Sequence, residues 1–187
     1  DGGVGIPLLW GTDAVHGHNN LQNATIFPHN SGLGAANDPA LLKDIGAVTA
    51  REIRATGLDW TFAPTLAVAR DDKWGRAYES YSERPEIVAA YSKAMVEGLQ
   101  GSQNSQDFLI GDQVMATAKH FIGDGGTQSG RDQGNNIDSE ADLRDIHGAA
   151  YPKALDAGVQ SVMVSFSSWH DKKLTGHKGL ITDVLKN

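Results

Sequence analysis

The sequence predicts an α/β fold that forms part of a (β/α)8, TIM-like barrel, and three observations support this prediction. Short apolar runs alternate with longer segments of helical periodicity, at spacings of about 40 to 55 residues. Polar loops follow the apolar runs, whereas the connections that lead back into the next run are mostly short. This asymmetry is typical of a barrel that carries its site at the C-terminal ends of the strands. A doubly wound open sheet is the other architecture that the alternation permits.

Four apolar runs are predicted to be strands. They are Ile6–Trp10, Trp60–Pro64, Val114–Ala118 and Ser161–Ser165. Each run has residues of high strand propensity and is bounded by polar or Gly-rich segments. Because a complete barrel of this class has eight strands, the chain is expected to hold about half of one.

The helices are predicted from capping signals and periodicity. Their predicted starts are Pro39, Pro85, Ser139 and Gly179. Asp38 is a good N-cap before a proline at the first helical position, and Gly57 is typical of a helix end. Ser139 with Asp142 three residues later resembles a capping box for a helix that reaches Ala157. Pro152 is expected to kink that helix.

The composition excludes several classes of function. The 187 residues include 16 Lys and Arg against 23 Asp and Glu, which gives a net charge of −7 without a basic run. Nucleic acid is therefore not an expected partner. The chain has no cysteine, which excludes disulfides and thiolate metal sites. No apolar stretch is long enough to span a membrane, and no motif indicates a cofactor.

Both chain ends are expected to be internal to a longer protein. The sequence begins at Asp1-Gly2-Gly3 without an initiator Met and without a signal-peptide pattern, and it stops at Lys186-Asn187.

Four polar clusters follow the predicted strands and contain the candidate binding residues. Asp13 follows the first strand and is placed to accept hydrogen bonds from sugar hydroxyls, or else bonds its own turn. The second cluster contains Trp74 and Arg76. Trp74 offers a flat ring face and Arg76 a fork of donors, both suited to sugars. The alternative is a solvated loop with a local Arg–Glu pair. Lys119 and His120 end the third strand; adjacent side chains there diverge unless the backbone is unusual.

The remaining candidates are less distinctive. Phe166 follows the fourth strand beside a second aromatic residue, Trp169. His16 and His18 have the spacing of metal ligands on an extended segment, but no third ligand lies nearby, so no metal site is predicted. The Gly-Asp-Gly-Gly run at 123–126 lacks the P-loop pattern and is not assigned to phosphate.

Taken together, these clusters resemble glycoside hydrolase family 3, in the branch of β-glucosidases and exo-β-glucanases. The segments that carry the resemblance, in chain order, are Gly11-Thr12-Asp13-Ala14-Val15-His16-Gly17, Thr25-Ile26-Phe27-Pro28-His29-Asn30, Trp74-Gly75-Arg76 with Glu79-Ser80, Lys119-His120-Phe121 with Gly123-Asp124-Gly125, and Met163–Trp169. The resemblance implies that residues 1–187 are part of the N-terminal barrel. It implies that Asp13, Arg76, Lys119 and His120 line the subsite for the terminal glucose, with Trp74 and Phe166 as neighbours, and that Arg76, Lys119 and His120 donate to its oxygens.

The resemblance also implies what this chain lacks. Family members use a retaining mechanism with an aspartate nucleophile and a glutamate acid/base. By the resemblance both lie beyond residue 187, the glutamate in a C-terminal α/β sandwich domain, and neither Asp171 nor Asp183 is assigned as a substitute. The expected activity of the complete protein is release of terminal β-D-glucosyl residues from β-glucosides or β-glucans.

Two departures and two alternatives bear on this expectation. Phe166 stands where many relatives have Tyr. Gly130, Arg131 and Asp132 stand where hexosaminidases of the family have an Asp-x-His dyad, which favours the glucosidase branch. The alternatives are a non-catalytic sugar-binding fragment or pseudoenzyme, and a barrel enzyme that uses Lys119 as a Schiff base.

The resemblance implies a periplasmic or secreted protein.

Overall fold

Residues 3–187 contain four parallel barrel strands that follow one another in chain order, and three further strands that form a separate small sheet. The structure is a computed structural model that describes residues 3–187; Asp1 and Gly2, on which the expectation about the N-terminus partly rests, lie outside the described residues. The strands within the described residues are β1 (Gly11–Thr12), β2 (Trp60–Thr61), β3 (Thr117–Phe121), β4 (Asn135–Asn136), β5 (Ser161–Val164), β6 (Ser168–Trp169) and β7 (Lys172–Lys173).

The pairing of these strands identifies the architecture. β1 pairs in parallel with β2, and β3 pairs in parallel with β5. The amide of Thr61 donates to the carbonyl of Met115 over 2.9 Å, and that of Thr117 donates to the carbonyl of Ala63 over 2.8 Å, so the sheet continues from β2 to β3. The resulting order, β1-β2-β3-β5, never reverses, which is typical of a (β/α)8 barrel and not of a doubly wound sheet. The predicted fold class is confirmed.

Helices connect the barrel strands. They are α1 (Asn30–Ala36), α2 (Pro39–Ala55), α3 (Pro85–Gln100), α4 (Glu140–Asp142) and α5 (Tyr151–Asp156). α2 begins where predicted, because the Asp38 carboxylate accepts a hydrogen bond from the amide of Leu41 over 3.1 Å. α3 also begins at its predicted proline. No helix in residues 3–187 is long and apolar enough to cross a membrane.

α2 and α3 pack closely because glycines face each other. A Cβ atom on Gly98 would lie 2.4 Å from the carbonyl oxygen of Lys43 and 3.0 Å from the Cα of Gly46. At the end of α3, the buried side chain of Gln100 accepts hydrogen bonds from the amides of Ala116 and Gln160, over 2.9 and 3.2 Å. It also donates to the carbonyl of Gly158 over 2.9 Å. One amide thereby joins the segments that lead into β3 and β5.

Two strand predictions need correction. Ile6–Trp10 is not a buried strand: Ile6 is 80% exposed and Trp10 62%, and β1 begins only at Gly11. Gly11 lets β1 lie close to the Phe62 side chain, since a Cβ there would lie 2.6 Å from the Phe62 ring. The third strand is displaced along the chain to Thr117–Phe121, so Lys119 and His120 lie within β3 and not after it.

Two helix predictions also need correction, and one short helix was not predicted. The segment from Ser139 to Ala157 is not one kinked helix. α4 passes into a π-helical turn over Leu143–His147, and α5 starts anew beside Pro152, which has no N–H to continue the ladder. The helix predicted from Gly179 is a second π-helical turn, Gly179–Val184. α1 falls in a segment that was predicted to be a loop.

Candidate active site

A buried lysine and an exposed aspartate form the first part of the site. The Nζ atom of Lys119 donates to Oδ1 of Asp13 over 2.6 Å. The Lys119 side chain is 4% exposed, whereas that of Asp13 is 56% exposed. Asp13 directly follows β1 and Lys119 lies in β3, so the fold brings both to the C-terminal end of the sheet. The carboxylate keeps acceptor capacity on its open side, where a ligand hydroxyl would approach.

A bidentate ion pair forms the second part. The Nε and Nη2 atoms of Arg76 donate to the two carboxylate oxygens of Glu79 over 2.7 and 2.9 Å. Glu79 is buried and also accepts a hydrogen bond from the hydroxyl of Thr65 over 3.3 Å. Burial raises the pKa of Glu79, but the hydrogen bonds and charge of Arg76, together with the charge of Lys119, outweigh burial and lower it. Glu79 is therefore an anion that holds the guanidinium in place.

His120 joins Arg76 to a buried carboxylate. The Nε2 atom of His120 lies 3.3 Å from Nη2 of Arg76, and its Nδ1 atom lies 2.7 Å from Oδ2 of Asp124. The peptide bond between Lys119 and His120 is cis. The side chains of these two neighbours reach different partners of the same cluster.

The other two predicted neighbours differ in how they are placed. Trp74 is 2% exposed, and its indole Nε1 donates to Asp132 over 3.0 Å, so its ring supports the loop from inside and offers no open face. Phe166 is 61% exposed two residues after β5. The ammonium of Lys173 lies 4.7 Å from the centre of its ring and donates to its carbonyl over 2.7 Å. These contacts join Phe166 to β7.

The two histidines with metal-ligand spacing have separate protein partners. His16 Nδ1 lies 2.9 Å from the carbonyl of Phe27, and His18 Nε2 lies 3.1 Å from the hydroxyl of Thr56. Across residues 3–187, no three His, Asp or Glu side chains are grouped so that they could hold a metal ion.

Sequence reasoning did not assign Glu79 and Asp124 to the site. Both are buried acids within the two motifs, Trp74-Gly75-Arg76 with Glu79 and Lys119-His120 with Asp124. An acid three or four residues from a candidate binding cation was the available signal. The alternative of a solvated Arg–Glu pair is wrong in one respect, because the pair exists but Glu79 is not solvated.

The cluster suits a neutral, hydroxyl-rich ligand. It presents two cationic donors and an open carboxylate, and every carboxylate in it already bonds a cation or a histidine. Charged groups of this kind bind hydroxyls by charge-assisted hydrogen bonds, which are stronger than bonds between neutral groups. A parallel barrel with polar side chains gathered at its strand ends has the architecture typical of (β/α)8 enzymes, which carry their active sites there.

Comparison with known proteins identifies the family. The family model described as "Glycosyl hydrolase family 3 N terminal domain" matches residues 1–187. The chain belongs to glycoside hydrolase family 3. An exo-1,3/1,4-β-glucanase from a Pseudoalteromonas species shares 59% identity over 97% of this chain and 23% of its own, with a TM-score of 0.95.

More distant relatives carry related names. A lysosomal β-glucosidase of Dictyostelium discoideum is 32% identical over 97% of this chain and 22% of its own length. A periplasmic β-glucosidase of Salmonella typhimurium is 32% identical over 97% of this chain and 23% of its own length. The chain thus spans less than a quarter of these two relatives.

Proposed function

We propose that the complete protein containing this chain releases terminal, non-reducing β-D-glucosyl residues from β-glucosides or β-glucans by a retaining mechanism. Asp13, Arg76, Lys119 and His120 form the subsite for the terminal glucose in this proposal. The observation that carries it is the Asp13–Lys119 pair beside the Arg76–His120 pair at the C-terminal end of the sheet. Trp74 is assigned a supporting role, and Phe166 a place at the rim.

The geometry of the cluster suits contacts with the sugar that strengthen as the substrate approaches the transition state. A glycosyl ring flattens toward an oxocarbenium-like state during hydrolysis. Only contacts that tighten during this change accelerate the reaction. Arg76 is fixed by two hydrogen bonds to Glu79, and Lys119 is buried, so neither side chain needs reorganisation to meet the distorted ring.

The domain assignment is part of the proposal. Residues 1–187 would be part of the N-terminal barrel, with the remaining strands and a C-terminal α/β sandwich contributed by sequence outside this chain. The nucleophilic aspartate and the acid/base glutamate would come from those parts. In support, each carboxylate of the described cluster is held by a lysine, an arginine or a histidine, an arrangement suited to binding.

The test uses the full-length protein and aryl β-D-glucosides, with the matching aryl α-D-glucoside as control. We expect glucose release from the β-anomer alone, with β-glucose as the first product seen by NMR. Release of α-glucose first would contradict the retaining mechanism. Absence of release from any β-glucoside or β-glucan would contradict the proposed activity and favour a sugar-binding protein.

A second substrate belongs in the same assay. A β-xylosidase of Formosa agariphila is 33% identical over 98% of this chain and 26% of its own length. Xylose lacks the hydroxymethyl group of glucose. A higher kcat/KM on aryl β-D-xylosides than on aryl β-D-glucosides would replace glucose by xylose in the proposal.

The compartment is proposed on the names of relatives. Two of them are periplasmic, one from Salmonella typhimurium and one from Dickeya chrysanthemi. We propose that the complete protein is periplasmic or secreted. Immunoblotting of cytoplasmic, periplasmic and medium fractions of the source cells tests this, and protein confined to the cytoplasmic fraction would contradict it.

A further inference from the structure

We propose that Asp124 is a positioning residue that fixes the tautomer of His120, so that Nε2 of His120 is a hydrogen-bond acceptor at the subsite. The effect on sugar binding rests on the proposed function, whereas the tautomer itself does not. The family resemblance implies that His120 donates to the sugar, whereas an unprotonated Nε2 would accept from it.

The tautomer follows from the chemistry of the two partners. An arginine guanidinium has five N–H donors and no acceptor. The contact of 3.3 Å between Nη2 of Arg76 and Nε2 of His120 is therefore a hydrogen bond only when Nε2 carries no proton. The neutral ring then has its proton on Nδ1, and Nδ1 lies 2.7 Å from Oδ2 of Asp124. Both contacts require the same tautomer.

The burial of Asp124 indicates that its carboxylate serves this bond. Burying a carboxylate is costly unless hydrogen bonds compensate. Asp124 is buried, yet its Oδ1 atom has no hydrogen-bond partner among the described residues, and its Oδ2 atom is used by His120. Among the described residues, the bond to His120 is thus the hydrogen bond that compensates the burial of this carboxylate.

The Gly-rich run explains how the carboxylate reaches the ring. Gly123 has a φ of +85°, a conformation that side chains rarely adopt, and it precedes the short turn Asp124–Gly126. A Cβ atom on Gly125 would lie 2.3 Å from the carbonyl oxygen of Val68. The glycines therefore let the turn pack against the neighbouring segment with Asp124 beside His120. The run that did not fit a phosphate site has a role in the geometry of this one.

The consequence for the subsite is directional. With Nε2 as acceptor, His120 accepts a hydrogen bond from Nη2 of Arg76. A sugar hydroxyl that entered between them would accept from Nη2 and donate to Nε2. If the proton moved to Nε2, an N–H would face the N–H groups of Arg76. The guanidinium would then lose its hydrogen bond to His120 and would be less precisely aligned with the sugar.

The test is Asp124→Asn in the full-length protein, with Asp138→Asn as matched control. Asp138 also contacts a buried histidine, with its carboxylate 3.1 Å from Nε2 of His147, but it lies outside the cluster. The first readout is the ¹⁵N spectrum of labelled imidazole rings, with His120 assigned through a His120→Gln variant. In the wild type we expect a protonated Nδ1 and an unprotonated Nε2. In Asp124→Asn we expect the proton on Nε2 or an exchanging mixture, and in Asp138→Asn an unchanged His120 signal.

The second readout is kinetic. We expect kcat/KM on an aryl β-glucoside to fall on the order of 100-fold in Asp124→Asn, the size of effect expected when a positioned group is displaced. Asp138→Asn should retain wild-type kinetics. A proton on Nε2 of His120 in the wild type would overturn the proposal, even if Asp124→Asn failed to fold. Unchanged kinetics in a folded Asp124→Asn protein would overturn its functional part. An inactive wild type would refute the proposed function alone, because the ¹⁵N readout needs no substrate.

Discussion

The ammonium of Lys119 lies 2.6 Å from a carboxylate oxygen of Asp13, although the two residues are 106 positions apart in the chain. The contact joins the loop after β1 to the middle of β3, across β2. Because the lysine is almost fully buried and the aspartate is half exposed, the carboxylate is the more open member of the pair.

We expect Lys119→Met to weaken the subsite. Methionine fills similar space but leaves Asp13 without its cation and removes a charged donor. The loss of one charge-assisted hydrogen bond, about 2 kcal/mol, corresponds to a fall of about 30-fold in kcat/KM of the full-length protein. Lys43→Met is the control, because Lys43 pairs with Glu97 between α2 and α3. Equal kinetics for both variants would contradict a role of Lys119 in binding.

Arg76→Lys should show that the shape of the guanidinium matters. Arg76 uses two nitrogens on Glu79 and one of these also on His120, a geometry that a single ammonium cannot reproduce. We expect kcat/KM to fall by about tenfold or more, since one charge-assisted bond contributes about 1.5 kcal/mol or more. Arg84→Lys, in the exposed pair with Glu86, should change little. Steady-state kinetics measure this effect. An unchanged kcat/KM in Arg76→Lys would mean that only the charge of Arg76 matters, and it would contradict the prediction.

His147 should make the protein less stable in mild acid. Burial lowers the pKa of His147 and outweighs the opposing effect of Asp138. An unfolded histidine has a pKa of about 6.5, so below that pH the unfolded state binds a proton that the native state does not. The free energy of unfolding should therefore fall as the pH drops from about 6.5 through the lower native pKa.

Urea denaturation at a series of pH values measures this dependence. His147→Gln should flatten the curve in that window. His170→Gln, at an exposed position, should keep the slope of the wild type. A His147→Gln curve that runs parallel to the wild type would contradict the assignment.

Gly98→Ala should destabilise the packing of α2 against α3. Alanine is favoured over glycine in a helix by about 1 kcal/mol. Its methyl group would, however, lie 2.4 Å from the carbonyl oxygen of Lys43, and overpacking costs about 1–3 kcal/mol. The steric effect wins, so thermal unfolding should shift to lower temperature. Gly176→Ala, where a Cβ would meet no atom within 4 Å, should leave it nearly unchanged.

The long helices were predictable because their signals are local. Asp38 caps α2 through the amide of Leu41, and prolines start both α2 and α3. α1 was not predictable in this way, since its sequence, Asn-Ser-Gly-Leu-Gly-Ala-Ala, has low helix propensity. Tertiary contacts position it: Asn30 donates to the carbonyl of Glu79 over 2.7 Å, and Gly34 packs directly on the backbone of Tyr81.

The site was only partly predictable for the same physical reason. Motifs indicate which residue types gather at the strand ends, and Asp13, Arg76, Lys119 and His120 do meet there as pairs. The direction of each hydrogen bond depends on partners such as Asp124, whose burial is a property of the folded chain. The exposed Ile6–Trp10 segment shows the opposite error, in which an apolar run without a covering partner is not a buried strand.

The three hydrogen bonds of the Gln100 side chain constrain Gln100 more than they constrain the residues that it contacts. Its three partners, at Ala116, Gly158 and Gln160, are all backbone groups. These three bonds therefore depend on backbone groups and not on the identity of the partner side chains, although Gly158 is restricted by its φ of +83°. Gln100 is restricted more strongly, because a glutamate would set an anion against the carbonyl of Gly158 and a leucine would leave all three groups without a partner. The join between α3 and the segments that lead into β3 and β5 thus depends on one side-chain amide.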